Sequence, residues 1–296
     1  MINKIKLLSV SVIAALMLSG CANDYVRKYY DINSYAYNTA YTGGVKSGLK
    51  DRSAPKGGVG NFTQTVEFGA AYTAAGFAAP ALGMSNLAGG AVNLLDMLID
   101  DGPDASRNNA FAWMPLSKAQ NQQEAQQKLK VLVKEAMEQS LKTMGLDYSP
   151  IEHNDPTFVG FYIHNENLNC PKDVVKEKWH TGYFFHPVRT SACTVRASIN
   201  RPLLSKTADV RMTKHTEERS YFFVAGNKSD FNAILVSSPA SSSLPENQLY
   251  NEISKNLPEW MFIYLAPGKV TLADGNAIGF PHLLNQGESH FFVRPD

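Results

Sequence analysis

The chain has 296 residues, 44% hydrophobic and 19% charged, with 28 basic and 27 acidic side chains for a formal charge of +1. That apolar content excludes a wholly disordered chain, and the balanced charge argues against a dedicated nucleic-acid binder, which carries a basic excess. No series of long apolar runs exists that would make a polytopic membrane protein.

Residues 1–20 read as a secretory signal, with Lys4 and Lys6 in the positive n-region and Leu7 to Leu18 as the apolar h-region. The h-region is too short for a lasting membrane span. The segment ends Leu18-Ser19-Gly20-Cys21, which resembles the lipobox of bacterial lipoproteins. The resemblance implies cleavage before Cys21 and acylation of its thiol and new amino group with chains such as palmitate. One acyl chain anchors only marginally, and several on one cysteine hold a protein on the membrane. Ala22 stands where an aspartate would resemble the inner-membrane retention signal, so the resemblance implies the outer membrane. The body is read as periplasm-facing, with surface exposure the other reading. Removing residues 1–20 takes away two lysines and no acid and leaves a formal charge of −1.

Residues 21–60 read as a lipid-anchored tether. Gly43 to Gly60 has linker composition, whereas Tyr25, Tyr29, Tyr30, Tyr35, Tyr37 and Tyr41 crowd its first half. Such amphipathic rings suit either a membrane interface or a seat on the protein's own body. Residues 61–67 alternate apolar and polar side chains, as a short strand does.

Residues 61–149 read as a helical region that opens with a Gly/Ala-rich hairpin. Phe68 to Leu95 carries no charge, and Gly69, Gly76, Gly83 and Gly90 recur every seven residues. On a helix that spacing keeps the glycines on one face, where small residues permit close packing of a neighbour or oligomerisation. Pro80 divides the run, because it cannot donate a helical hydrogen bond. A membrane-inserted or oligomer-forming hairpin and a helical pair packed inside a soluble domain both fit. The run Leu87-Ala88-Gly89-Gly90-Ala91-Val92-Asn93-Leu94-Leu95-Asp96-Met97-Leu98-Ile99-Asp100 looks like glycine-rich hydrophobic regions of outer-membrane lipoproteins, of which the surface-exclusion lipoprotein of conjugative plasmids is one example.

Residues 100–116 read as a polar break. The clearest helix spans 117–144, with Ser117 and Gln120 as a capping box and Gly145 as its C′ residue. Its buried stripe is Leu129, Leu132, Val133, Ala136, Met137, Ser140, Leu141 and Met144.

Residues 150–296 read as an α+β sheet domain, and the chain as a whole as α+β. Strands are expected at Thr157–His164, Gly182–His186, Cys193–Ile199, Ser220–Ala225, Ala233–Ser237, Trp260–Ala266 and His290–Val293. Ser243 and Glu246 suggest a second capping box, with Pro245 in the first turn of a short helix. The apolar run Trp260–Ala266 predicts a central strand covered on both faces. With the preceding helix and Ala233–Ser237 it suggests a βαβ crossover.

Beyond Cys21 only Cys170 and Cys193 remain, and an oxidising compartment favours a disulfide between them. They lack the close spacing of a metal or redox pair.

No GxSxG, HExxH, P-loop or dinucleotide motif is present, and no catalytic residue, metal ligand or cofactor is assigned. His164 with Glu166 is the nearest approach to an acid–base pair. The features together predict a lipid-anchored outer-membrane structural or assembly lipoprotein, part of a secretion, conjugation or surface-exclusion machine. Its partners would be the outer membrane and either envelope proteins or further copies of the chain, with no nucleic acid. The alternative is a lipid-anchored binding module for a ligand, glycan or peptide, whose pocket Trp179, Tyr183, Phe184, Phe185, Tyr221, Phe222 and Phe223 could line, although such rings more often belong to a core. A periplasmic hydrolase with an unrecognised site is the second alternative.

Overall fold

A computed structural model describes residues 28–51, 108–171, 192–225, 232–239, 241–266, 270–271, 277–278 and 281–294. The expected signal, Cys21, the four spaced glycines Gly69, Gly76, Gly83 and Gly90, and the expected strand Gly182–His186 lie outside them.

The architecture is α+β, built on two antiparallel sheets. The larger has six strands in the order β12-β11-β8-β1-β6-β5: β1 (Asn109–Pro115), β5 (Leu203–Lys206), β6 (Arg219–Phe223), β8 (Met261–Leu265), β11 (His282–Asn285) and β12 (Glu288–Phe291). The smaller has four in the order β2-β3-β4-β7: β2 (Asp147–Pro150), β3 (Phe158–His164), β4 (Cys193–Ser198) and β7 (Ala233–Ser237). A two-stranded ribbon, β9 (Val270–Thr271) and β10 (Ala277–Ile278), is separate.

Among the described residues four α-helices accompany them: α1 (Tyr35–Gly43), α2 (Gln122–Thr143), the single turn α3 (Val210–Thr213) and α4 (Glu246–Asn256). Successive side chains on a strand point to opposite faces, and the large sheet uses both. Ala110, Ala112 and Met114 of β1 and Met261, Ile263 and Leu265 of β8 face a core shared with α2, α4 and the small sheet. Phe111, Trp113, Phe222, Phe262 and Tyr264 face a second core closed by Ala36 and Ala40 of α1. The Trp113 ring stacks on Phe222 at 5.4 Å between centroids. The rings of Phe111 and Phe262 stack at the same separation.

Several expectations are corrected here. The polar break at 100–116 contains β1, the strand that pairs β6 with β8 across the middle of the large sheet. β1 and α2 share the first core with the strands after residue 150, so the core runs across that expected boundary. The βαβ crossover is absent. β8 already has β1 and β11 as neighbours, so β7 pairs with β4 in the other sheet instead. The run at 260–266 is nonetheless central and buried, as its composition predicts.

Both capping boxes also move. Glu217 draws the Ser117 hydroxyl (2.6 Å) and the Leu116 N–H (2.8 Å) into a separate 3-10 turn, Leu116–Lys118. The cap of α2 is therefore Asn121, which accepts from the Glu124 N–H at 2.9 Å. Glu124 in turn accepts from the Gln120 N–H at 2.8 Å. At α4, Glu246 accepts from the Ser238 hydroxyl at 2.6 Å, and Pro245 holds the cap position without a side-chain bond. The last expected strand, His290–Val293, is observed as β12, two residues earlier, in a hairpin with β11.

Candidate functional site

The arm is the first feature with a chemical address. Residues 28–51 fold onto the large sheet, which corrects the linker reading of the segment that begins at Gly43. Ser34 caps α1, its hydroxyl accepting from the Tyr37 N–H at 3.0 Å, and Asp51 accepts from the Ser34 N–H. The Asn38 amide donates to the Tyr30 and Ser34 carbonyls at 2.9 and 3.1 Å, which ties the entering turn to the helix. Gly43 lies so close to the Phe111 ring that a Cβ there would sit 2.3 Å from it. Its carbonyl accepts from the Ala225 N–H at 2.8 Å. Val45 and Leu49 continue into the second core.

The tyrosines therefore have a seat on the body. The Tyr35 hydroxyl donates to the Met212 carbonyl at 2.9 Å, and its ring meets His290 edge-on at 4.7 Å. Burial pushes the Tyr35 hydroxyl up to about 12. Tyr37 and Tyr41 stack one helical turn apart. The Arg211 guanidinium lies 4.3 Å above the Tyr29 ring and pairs with Asp31 and Asp209 at 3.0 Å each. A cation over an aromatic face is favourable.

His290 gives the seat a pH dependence. Burial holds its pKa below the usual histidine value, and Lys214 lowers it further against the opposing pull of Glu288. The unfolded chain therefore takes up this proton first. Stability is unaffected by His290 above roughly pH 6.5 and falls as pH drops from there toward the folded value. His290→Gln is expected to flatten that part of the profile. Urea midpoints measured between pH 5 and 8 check it, and parallel profiles for the two proteins would refute the assignment.

A second feature is an apolar groove of about 550 Å³ beside α2. Met114, Leu132, Pro258 and Trp260 line it, with half-exposed Val131 at the side and Lys118, Gln127 and Lys128 around it. Lys128 is held in place by Glu124 at 2.7 Å and by the Lys118 carbonyl at 2.8 Å. That contact is the main cause that lowers the Glu124 pKa. Such a surface can take an apolar segment bordered by acid.

The third is the corner where Cys170 and Cys193 form a disulfide, Cα atoms 5.4 Å apart, both side chains fully buried. The Ser242 hydroxyl donates to the Leu168 carbonyl at 2.9 Å and lies 3.4 Å from each sulfur. The serine run at 241–243 thus closes the disulfide corner, a role that composition alone does not signal. Beside it a cleft of about 450 Å³ is lined by Glu166, Asn169, Pro171, Pro239 and Ser241.

His164 does not pair with Glu166. Its Nε2 meets the Ser149 hydroxyl at 2.8 Å, and its buried Nδ1 has no protein partner. A serine–histidine contact resembles a nucleophile and base, yet no carboxylate among the described residues orients this ring as the triad logic requires. Tyr221, Phe222 and Phe223 are buried in the two cores, the more common place for such rings, and not at a pocket. Trp179, Tyr183, Phe184 and Phe185 lie outside the described residues.

Among the described residues, no three His, Cys, Asp or Glu side chains cluster as a metal site. No helix there is long and apolar enough to cross a membrane. Comparison with protein-family models, with curated proteins and with solved structures finds no match.

Proposed function

We propose that this chain is a lipid-anchored outer-membrane lipoprotein with a structural or assembly role in an envelope machine for secretion, conjugation or surface exclusion. The observation that carries the reading is the arm: residues 28–51, which begin seven residues after Cys21, are a core element of the body. A disposable spacer would not need Ser34, Asn38 and Asp51 to fasten it. The anchor and the body then form one mechanical unit, as suits a part that bears load or holds a partner at a set place. The α2 groove supplies a surface for such a partner.

The test is the native mass of the full-length, detergent-extracted protein, together with the mass of its N-terminal peptide. An acylated Cys21 and a discrete oligomer or stoichiometric complex, dispersed by Val131→Asp in the groove, are expected. A monomer without partner would refute the assembly role. The second reading, a binding module, rests on the volume of the same groove, which exceeds the lower bound of about 300 Å³ for ligand pockets. A monomer that retains a small apolar molecule in native mass spectrometry would favour it.

A further inference from the structure

We infer that the side of the body where the arm enters rests on phospholipid headgroups, so that the anchored protein has one fixed orientation on its membrane. This inference rests on the lipid-anchor reading above and adds to it the surface that touches the bilayer.

Among the described residues six large apolar side chains are exposed, and three of them gather here: Tyr30 at 51%, Ile32 at 76% and Val210 at 53%. Single exposed apolar residues need no explanation. These three come from two chain segments that other contacts clamp together. Arg211, next to Val210, pairs with Asp31, next to Ile32, at 3.0 Å. The Tyr35 hydroxyl reaches the Met212 carbonyl on the same turn of helix. Exposed Lys28, Arg211 and Lys214 share this side of the body with the carboxylates Asp31, Asp209 and Glu288, so the charges balance. Apolar tips among balanced charges, with tyrosine among them, suit the headgroup interface of a phospholipid bilayer.

Chain length argues for lipid as the occupant. Lys28 is the seventh residue after Cys21, so fully extended chain places it at most about 25 Å from the anchored residue. A tether that short raises the effective concentration of the surface beside it. The patch therefore needs little affinity of its own. The acyl chains hold the protein, and the patch sets which way it faces.

The experiment reads orientation rather than binding. Full-length acylated protein is placed in vesicles of phosphatidylethanolamine and phosphatidylglycerol that contain nitroxide-labelled lipid. A fluorophore is attached in turn to Ile32→Cys, Val210→Cys or Val131→Cys. Val131 is exposed on α2, across the large sheet from α1. Interfacial side chains sink about 5–10 Å into the headgroup boundary, so quenching at 32 and 210 should exceed that at 131 by about twofold or more. Ile32→Asp should lower the quenching at 210. Equal quenching at all three sites with Cys21 acylated overturns the inference and leaves the anchor reading standing. An unacylated Cys21 in membrane-derived protein overturns both.

Discussion

Gly44→Val lowers the unfolding free energy by about 2–5 kcal/mol and releases the arm to protease. Gly44 closes α1 at φ 108°, where side chains are strained, and its N–H donates back to the Tyr41 carbonyl. An L side chain in a left-handed conformation costs roughly 1–2 kcal/mol. A Cβ here would also lie 2.6 Å from the Ala225 carbonyl oxygen, main chain of the segment that follows β6. Backbone cannot step aside as a flexible side chain can, and overpacking adds about 1–3 kcal/mol. Urea denaturation and limited proteolysis with N-terminal mapping measure both effects. Gly145→Val is the control: Gly145 also has positive φ, at 64°, but open space around its Cβ position. Its cost should be only the backbone part, about 1–2 kcal/mol, with the arm still protected. Equal cost and equal protection in the two variants would refute the close approach at Gly44.

The paired replacement Cys170→Ala and Cys193→Ala costs about 3 kcal/mol, as expected for releasing a loop of this length from the unfolded chain. The two cysteines are 23 residues apart in sequence. Cys193 pairs with Ile163 in the β3–β4 ladder, and Cys170 bridges Asn165 just beyond β3. The bond therefore closes the loop between two strands at the point where they leave the sheet. Reduction of the native chain should reach the same denaturation midpoint as the double variant, and slowly, since neither sulfur is exposed. An unchanged midpoint under reductant would refute this contribution.

Local chemistry made part of this fold legible in advance. α2 announces itself through a 3.6-residue apolar stripe, of which Leu129, Val133, Ala136, Met137, Ser140 and Leu141 are buried and Leu132 and Met144 partly so, while buried Ala125 lies ahead of the stripe. Gly145 marks its end, and β3, β4, β6, β7 and β8 lie within the expected strands to a residue or so. The disulfide followed from counting cysteines. β1 escaped because both its faces are buried, so Asn-Ala-Phe-Ala-Trp-Met-Pro alternates small with large rather than apolar with polar. α1 escaped because its seated face mixes Ala36 and Ala40 with Asn38, Thr39 and Thr42 and so carries no apolar stripe. The displaced caps share one cause. Glu217 and Ser238 are far or moderately far in sequence from the residues they capture, and no local pattern contains them. Sheet membership is likewise set by which neighbours are already taken. At the candidate site, the tyrosine cluster was visible as composition, whereas its partners Arg211, Met212 and His290 come from the other half of the chain.

That last pairing sets an order of events in time. Tyr35 rests against His290, and Phe292 helps to form the core beneath α1. The arm is made before every part of its seat, and the seat is completed only by the last strands. Until Leu283, His290 and Phe292 are made, the N-terminal segment has only the part of its seat supplied by β1, β6 and β8. Folding thus ends where synthesis began, and a chain truncated before β11 and β12 would carry an arm with an incomplete seat.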